Sequence, residues 1–182
     1  MPEVNIVGEI LGATDFDKPK LLCKYNFLTG NDKWAKLDGA FNGQTQLSQT
    51  DETLVLWNHP IDLHYATTTL SGWPKLVVEV WQEDEYGRNE LAGYGVIYVP
   101  TSPGEHLMEC VIWKPQGSLT ERIFNYFLDT TSHLDHKEIV HSSKDRFDLV
   151  TESVGSIHIQ LEILLRGFRN RGVELKTSTN IF

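Results

Sequence analysis

The chain has 182 residues, 40% of them hydrophobic and 23% charged, which is enough for one domain with a proper core and too apolar for bulk disorder. A net charge of −9 argues against non-specific DNA or RNA binding and against plain electrostatic docking on anionic lipid, both of which need a surplus of Lys and Arg. Two cysteines at unrelated spacing, an N-terminus without a basic-then-apolar leader, and apolar runs far below the roughly 20 residues that span a bilayer point to a cytosolic chain with reduced thiols.

The dominant period is two, and it starts at once. Val4, Ile6 and Ile10 alternate with Asn5 and Glu9, the pattern of a half-buried strand. A short loop, Asp15-Phe16-Asp17-Lys18-Pro19, leads to a strand predicted over Leu21–Phe27. Thr29-Gly30-Asn31-Asp32 is a turn. Weaker strands are predicted over Gly43–Leu47 and Leu54–Trp57. Ser71-Gly72-Trp73-Pro74 is a second turn, and Leu76–Trp81 is β-branched and aromatic, with Trp81 expected in the core. An acidic loop with the turn Tyr86-Gly87-Arg88-Asn89 follows. Tyr94–Val99 reads as a strand stopped by Pro100, and His106–Trp113 as another. Gly93 and Gly95 have no helix after them, so they are read as close-packing positions and not as a phosphate loop.

Ser118-Leu119-Thr120-Glu121 is a capping box, and Ile123, Phe124, Phe127 and Leu128 follow at helical spacing, so one short helix is predicted after Ser118. Asp129–Lys144 reads as a polar loop and Arg146–Leu149 as a weak strand. Ile157–Ile163 is the clearest alternating strand of the chain. About eight short strands between such turns predict a mostly-β antiparallel sandwich, one domain over residues 1–175 with a tail at 176–182.

Nothing in the sequence calls for catalysis or a cofactor. There is no Gly-x-Ser-x-Gly elbow, and Cys23 and Cys110 lie in apolar strands as structural thiols. His133, Asp135, His136 and His141 lack the spacing of a zinc site. The stretch Val80–Gly93 is a strand, an acidic loop and a strand entered through Leu-x-Gly, similar to the third loop of a C2 domain. Calcium there needs several carboxylates from more than one loop. Gln82 occupies the first ligand position, and the partner loop carries Lys18 and Lys20. Asp15, Asp17 and Asp84, with Glu83 and Glu85, are therefore a degenerate set, and the expected reading is no metal. For protein contacts the candidates are Trp57 and His59, Trp73 beside its Pro turn, Arg88, and the basic run after the last strand with Arg166 and Arg169.

The chain resembles the B9-domain family. The likeness rests on Val4-x-Ile6-x-Gly8-x-Ile10-x-Gly12-Ala13, on Gly43-Gln44-Thr45-Gln46, and on Trp57-x-His59-Pro60-Ile61-Asp62-Leu63-His64. It continues through Gly72-Trp73-Pro74, Tyr86-Gly87-Arg88, Leu91-Ala92-Gly93-Tyr94-Gly95 and Val99-Pro100-x-Ser102-Pro103-Gly104, and ends on Leu164-Leu165-Arg166-x-Phe168, with the core of the pattern over residues 2–118. The resemblance implies a C2-like sandwich without enzymatic activity or a complete calcium site. It implies a subunit of the Meckel-syndrome, tectonic-like complex at the ciliary transition zone and basal body, in cytoplasm and cytoskeleton, needed for cilium assembly and gating. The implied partners are other B9-domain proteins, which it would bridge, and tubulin or membrane-linked transition-zone proteins, with membrane contact indirect or weak. The alternative is a C2-type module that reads lipid through Lys18, Lys20, Lys24 or the Arg166–Arg171 stretch.

Overall fold

The computed structural model describes residues 1–49, 53–115 and 151–168. Among these there are ten strands: β1 (Glu3–Thr14), β2 (Lys20–Leu28), β3 (Trp34–Gly39), β4 (Asn42–Gln44), β5 (Ser48–Gln49), β6 (Leu54–Thr67), β7 (Lys75–Glu83), β8 (Asn89–Tyr98), β9 (Gly104–Pro115) and β10 (Thr151–Arg166). The period of two is kept where it was clearest. Val4, Ile6 and Ile10 on β1 and Ile157, Ile159, Leu161 and Ile163 on β10 are wholly buried, and Asn5, Val7 and Glu9 and His158, Gln160 and Glu162 take the other face. Each such side chain stabilises the fold by roughly 1.5–3 kcal/mol relative to leaving it in water.

The strands form one antiparallel sheet in the order β3-β6-β1-β10-β9-β8-β7-β2-β4, with β5 on β2. The sheet curls into two layers. Among the described residues β8 and β9 meet in a single pair, Tyr94 with Trp113, so the ladder nearly breaks there. Beyond that corner β8, β7, β2 and β4 turn back over β6, β1 and β10. β6 and β2 are far apart in the strand order, yet the Trp57 Nε1–H on β6 donates to the Leu21 carbonyl on β2 at 3.1 Å. The result is the C2-like antiparallel sandwich expected from the sequence. Gly93 and Gly95 make the corner possible: a Cβ at Gly95 would lie 2.6 Å from Ile112 Cδ1 and 2.7 Å from Cys110 Sγ, and one at Gly93 would lie 2.7 Å from the Trp113 carbonyl oxygen.

Four details differ from expectation. Ten strands are described against about eight expected; β3 and β5 are the additions, β3 because its polar run, with only Trp34 buried, carries no alternation to read, and β5 because two residues carry no period. β6 does not stop at Trp57 but runs through Pro60 to Thr67. A bulge with Asn58 at φ +45° sets Trp57 and Asn58 against Leu11, and β3 pairs β6 only from Leu63 onward, so the missing Pro60 N–H interrupts no ladder on that side. β4 ends at Gln44, and Thr45 takes over with its side chain: its Oγ1 accepts from the Cys23 amide at 3.0 Å and its own amide donates to the Cys23 carbonyl at 2.8 Å. Trp81 is outside the main core; half-buried on the other face of β7, it packs with Val77 and Trp113 on a second, smaller cluster around the buried Leu91 and Tyr94. The helix expected after Ser118, the loop Asp129–Lys144, the strand Arg146–Leu149 and the tail after 175 lie outside the described residues.

Candidate functional site

The degenerate acidic loop and its basic partner loop do meet. They enclose an open cleft of about 710 Å³ lined by Asp17, Lys18, Lys20, Glu83, Asp84, Tyr86 and Arg88 among others. Each of its cations is already matched by a carboxylate. Lys18 Nζ donates to Glu90 at 2.9 Å and Lys20 Nζ to Glu83 at 2.8 Å. Asp84 organises the turn: one carboxylate oxygen accepts from the backbone amides of Tyr86 (2.9 Å) and Arg88 (2.8 Å), the other from Arg88 Nε at 2.7 Å. Gly87, at φ +75°, lets the chain reverse so that the Asp84 amide can donate to the Arg88 carbonyl. The Arg88 amide, then its guanidinium and the Tyr86 amide, hold the Asp84 carboxyl below the usual carboxylate range despite its burial.

The arrangement therefore does structural chemistry. Both Asp84 oxygens are spent on the turn, while Asp15 and Asp17 stand exposed on the partner loop. Among the described residues no group of three or more His, Cys, Asp or Glu is placed to hold a metal ion. The lysines that a lipid-reading surface would use are engaged as well: Lys18 and Lys20 as above, and Lys24 over the Trp81 ring at 4.2 Å. Among the described residues no helix is long and apolar enough to cross a membrane.

The structure does not gather the six protein-contact candidates into one place. Trp57 is 3% exposed, which corrects its expected place on a contact surface: its ring fills the space between layers and its N–H is committed to Leu21. His59 is half-buried, its Nε2 3.2 Å from the Tyr25 hydroxyl across the same seam. Trp73 packs edge-on against Trp34 at 5.2 Å and against Phe168 at 6.4 Å, so it belongs to an aromatic cluster with Tyr65 and Phe41. Phe168, read from sequence as part of a binding run, is buried there. Arg88 is half-exposed but anchored to Asp84. Arg166 alone of the described five stands out, 83% exposed and 3.8 Å from Glu3; Arg169 lies outside the described residues.

What the sequence reading missed lies on β9. Leu107 and Val111 are 74% and 54% exposed, although their strand reads like any other half-buried one. The thiols are inert by placement. Cys23 and Cys110 are buried and unpaired; burial, then the nearness of Cys110, pushes the Cys23 thiol far up, and burial pushes Cys110 to about 12.

A family model described as "Ciliary basal body-associated, B9 protein" matches residues 4–164. The chain is 43% identical over 175 residues to B9 domain-containing protein 2 of Bos taurus, covering 96% of this chain and 99% of that protein. It is 26% identical over 179 residues to B9 domain-containing protein 1 of Xenopus laevis, covering 96% and 90%. Among solved structures, a C2 domain of plant Extended Synaptotagmin 1 aligns with 88% of this chain and 92% of its own at 13% identity and a TM-score of 0.43. The layered architecture itself follows from the strand pairing alone.

Proposed function

Because the chain belongs to the B9-C2 family of ciliary basal body-associated proteins, we propose that it is a non-enzymatic, protein-binding subunit of a ciliary assembly. In this reading one domain over residues 1–175 acts at the basal body and transition zone, in the Meckel-syndrome complex, where it bridges sister B9 proteins. The observation that carries the proposal is the match at 43% identity over nearly the whole chain to B9 domain-containing protein 2. A related and somewhat longer chain, B9 domain-containing protein 1, is the natural candidate for a sister subunit. The site geometry supports binding over chemistry: the cations of the acidic cleft and the Asp84, Glu83 and Glu90 carboxylates are spent on one another and on a turn. It supports direct lipid reading less, since Lys18, Lys20 and Lys24 are all engaged.

The test is capture of purified B9 domain-containing protein 1 by this chain, with a tagged copy followed in ciliated cells. Binding at micromolar concentration or tighter and a focus at the cilium base are expected. A chain that binds no sister B9 protein at that concentration and shows no basal-body focus overturns the reading. Flotation with anionic liposomes at low salt, with and without calcium, is expected to leave the protein in the dense fraction.

A further inference from the structure

β9 is paired with β10 from Gly104 to Pro115. On its other side, among the described residues, only Trp113 is paired, to Tyr94. From Gly104 to Ile112 no residue on that side is paired with a strand among the described residues, although Gly95 of β8 lies against the side chains of Cys110 and Ile112. Sheet edges of this length are normally blunted by charged side chains, lysine above all, by a proline, a bulge or shortness, because they template pairing with another chain; here the only charges are the carboxylates of Glu105 and Glu109, which repel an acidic strand and admit a basic one. Gly104–Ile112 holds no Lys or Pro, and the one register shift between β9 and β10 falls beyond it, at Ser153/Gly155. Its outward side chains are Glu105, Leu107, Glu109 and Val111, so acidic and apolar positions alternate along the open edge.

The rest of that face selects the occupant. In register, Asp62 on β6 is followed by Val7 on β1, Glu162 on β10 and Glu105 on β9. Glu162 and Glu105 are thus direct cross-strand neighbours of like charge, an arrangement that costs stability. Among the described residues no cation pairs with either; Glu105 accepts only from the Gln160 side-chain amide. A second copy of this chain added at the edge would bring its own outward carboxylates against these, so self-pairing is disfavoured. A strand bearing Lys or Arg at alternate positions meets the carboxylates, and its apolar residues in between lie along Leu107 and Val111.

We propose that the β9 edge is a strand-addition site for an extended partner segment in which Lys or Arg alternates with apolar residues. Backbone pairing to Gly104–Ile112 supplies the affinity, and Glu105 and Glu109 select the partner's register and charge. This deepens the protein-binding reading, on which it rests, by naming the surface and the chemistry of what it takes.

The experiment uses the full chain and two ten-residue peptides of the same composition, one alternating Lys and Val, the other with five Lys followed by five Val. Wild type is expected to bind the alternating peptide roughly tenfold more tightly than the blocked one, and the E105K/E109K double variant to lose at least that factor. Hydrogen exchange on wild type provides a readout that needs no variant: the alternating peptide is expected to slow amides within 104–112 and not those of β3, the far edge of the sheet. Equal binding of both peptides, unchanged affinity in a folded E105K/E109K, or protection elsewhere overturns the proposal. Capture of B9 domain-containing protein 1 separates the two readings. If wild type and E105K/E109K capture it equally, the edge assignment falls and the protein-binding reading stands; if the peptide binds as expected and the sister protein is not captured, the reverse holds.

Discussion

The seam between the two layers and the outward face of β9 and β10 belong to one sheet, yet they treat their polar groups in opposite ways. In the seam the Trp57 N–H goes to Leu21, His59 meets Tyr25, and the Gln46 side-chain amide donates to the Trp57 carbonyl at 2.9 Å. On the outward face, Glu162 and Glu105 oppose each other, and Leu107 stands in water. The seam gains nothing from a partner and loses heavily when disturbed. The outward face carries a cost in the isolated chain that a suitable partner removes. The residues that stand out in the sequence as Trp-x-His-Pro are therefore architecture, and the plainer Glu-His-Leu-Met-Glu is the surface.

The sharpest way to break this comparison is to damage the seam. Trp57→Ala removes a buried indole between β6 and β2 and strips the Leu21 carbonyl of its donor, so it should cost about 3–5 kcal/mol in urea unfolding. A loss under about 1 kcal/mol, comparable to an exposed-site substitution, would return Trp57 to the list of contact residues.

A second probe of the seam is pH. Cys23 and Cys110 are kept neutral by burial, with folded pKa values raised far above the unfolded ones. Their contribution is fully present below the unfolded thiol pKa of about 8.5 and is lost as pH climbs from there toward the folded values, because the unfolded state alone can ionise. Between pH 8.5 and pH 10 each thiol should remove about 1.7 kcal/mol of stability, the slope rising from half of roughly 1.4 kcal/mol per pH unit at the start to nearly all of it at the end. Unfolding curves in reductant over that range should show this slope, and Cys23→Val should flatten it by about half.

How much of this was readable beforehand follows from what each element reveals locally. β10 was legible because Ile157, Ile159, Leu161 and Ile163 alternate strictly with polar residues. β6 was legible only to Trp57, since Pro60 looks like a terminator until it is known which neighbours it faces. The run Leu76–Trp81 is apolar on both faces, so its strand was plain, but the face that Trp81 takes was not. The meeting of the Lys18 and Asp84 loops was foreseeable from charge. Whether the carboxylates would stay available to an ion was not, because that depends on which lysine reaches which glutamate. That Gly104–Ile112 of β9 lacks a paired neighbour on its β8 side among the described residues follows from where β8 turns away, and no pattern within Gly104–Pro115 encodes it.

Smaller than either effect is the link between His59 and Tyr25. Tyr25→Phe deletes the hydroxyl 3.2 Å from His59 Nε2 while keeping the ring against Phe27, and should cost about 1 kcal/mol by thermal unfolding. A stability unchanged within error would mean that the contact is geometric only and that His59 is available to a partner after all.

The smallest effect has the opposite sign, and it is the one that distinguishes the two regions most directly. Glu162 is exposed and lies opposite Glu105 with Val7 and Asp62 in the same row. Replacing it by Gln keeps the shape and hydrogen-bonding reach but removes one of two facing like charges, worth about 0.2–1 kcal/mol for a cross-strand pair. Glu162→Gln should therefore raise the stability of the isolated chain slightly while weakening its capture of the alternating Lys–Val peptide. In the seam, stability and integrity move together, so no substitution there should do both. If Glu162→Gln lowers stability, the row is held together by something other than the geometry seen here, and the argument that this face carries an unmet charge fails. If it stabilises the chain and leaves peptide binding untouched, the repulsion is real but unconnected with recognition, and selection at the edge rests on Glu105 and Glu109 alone.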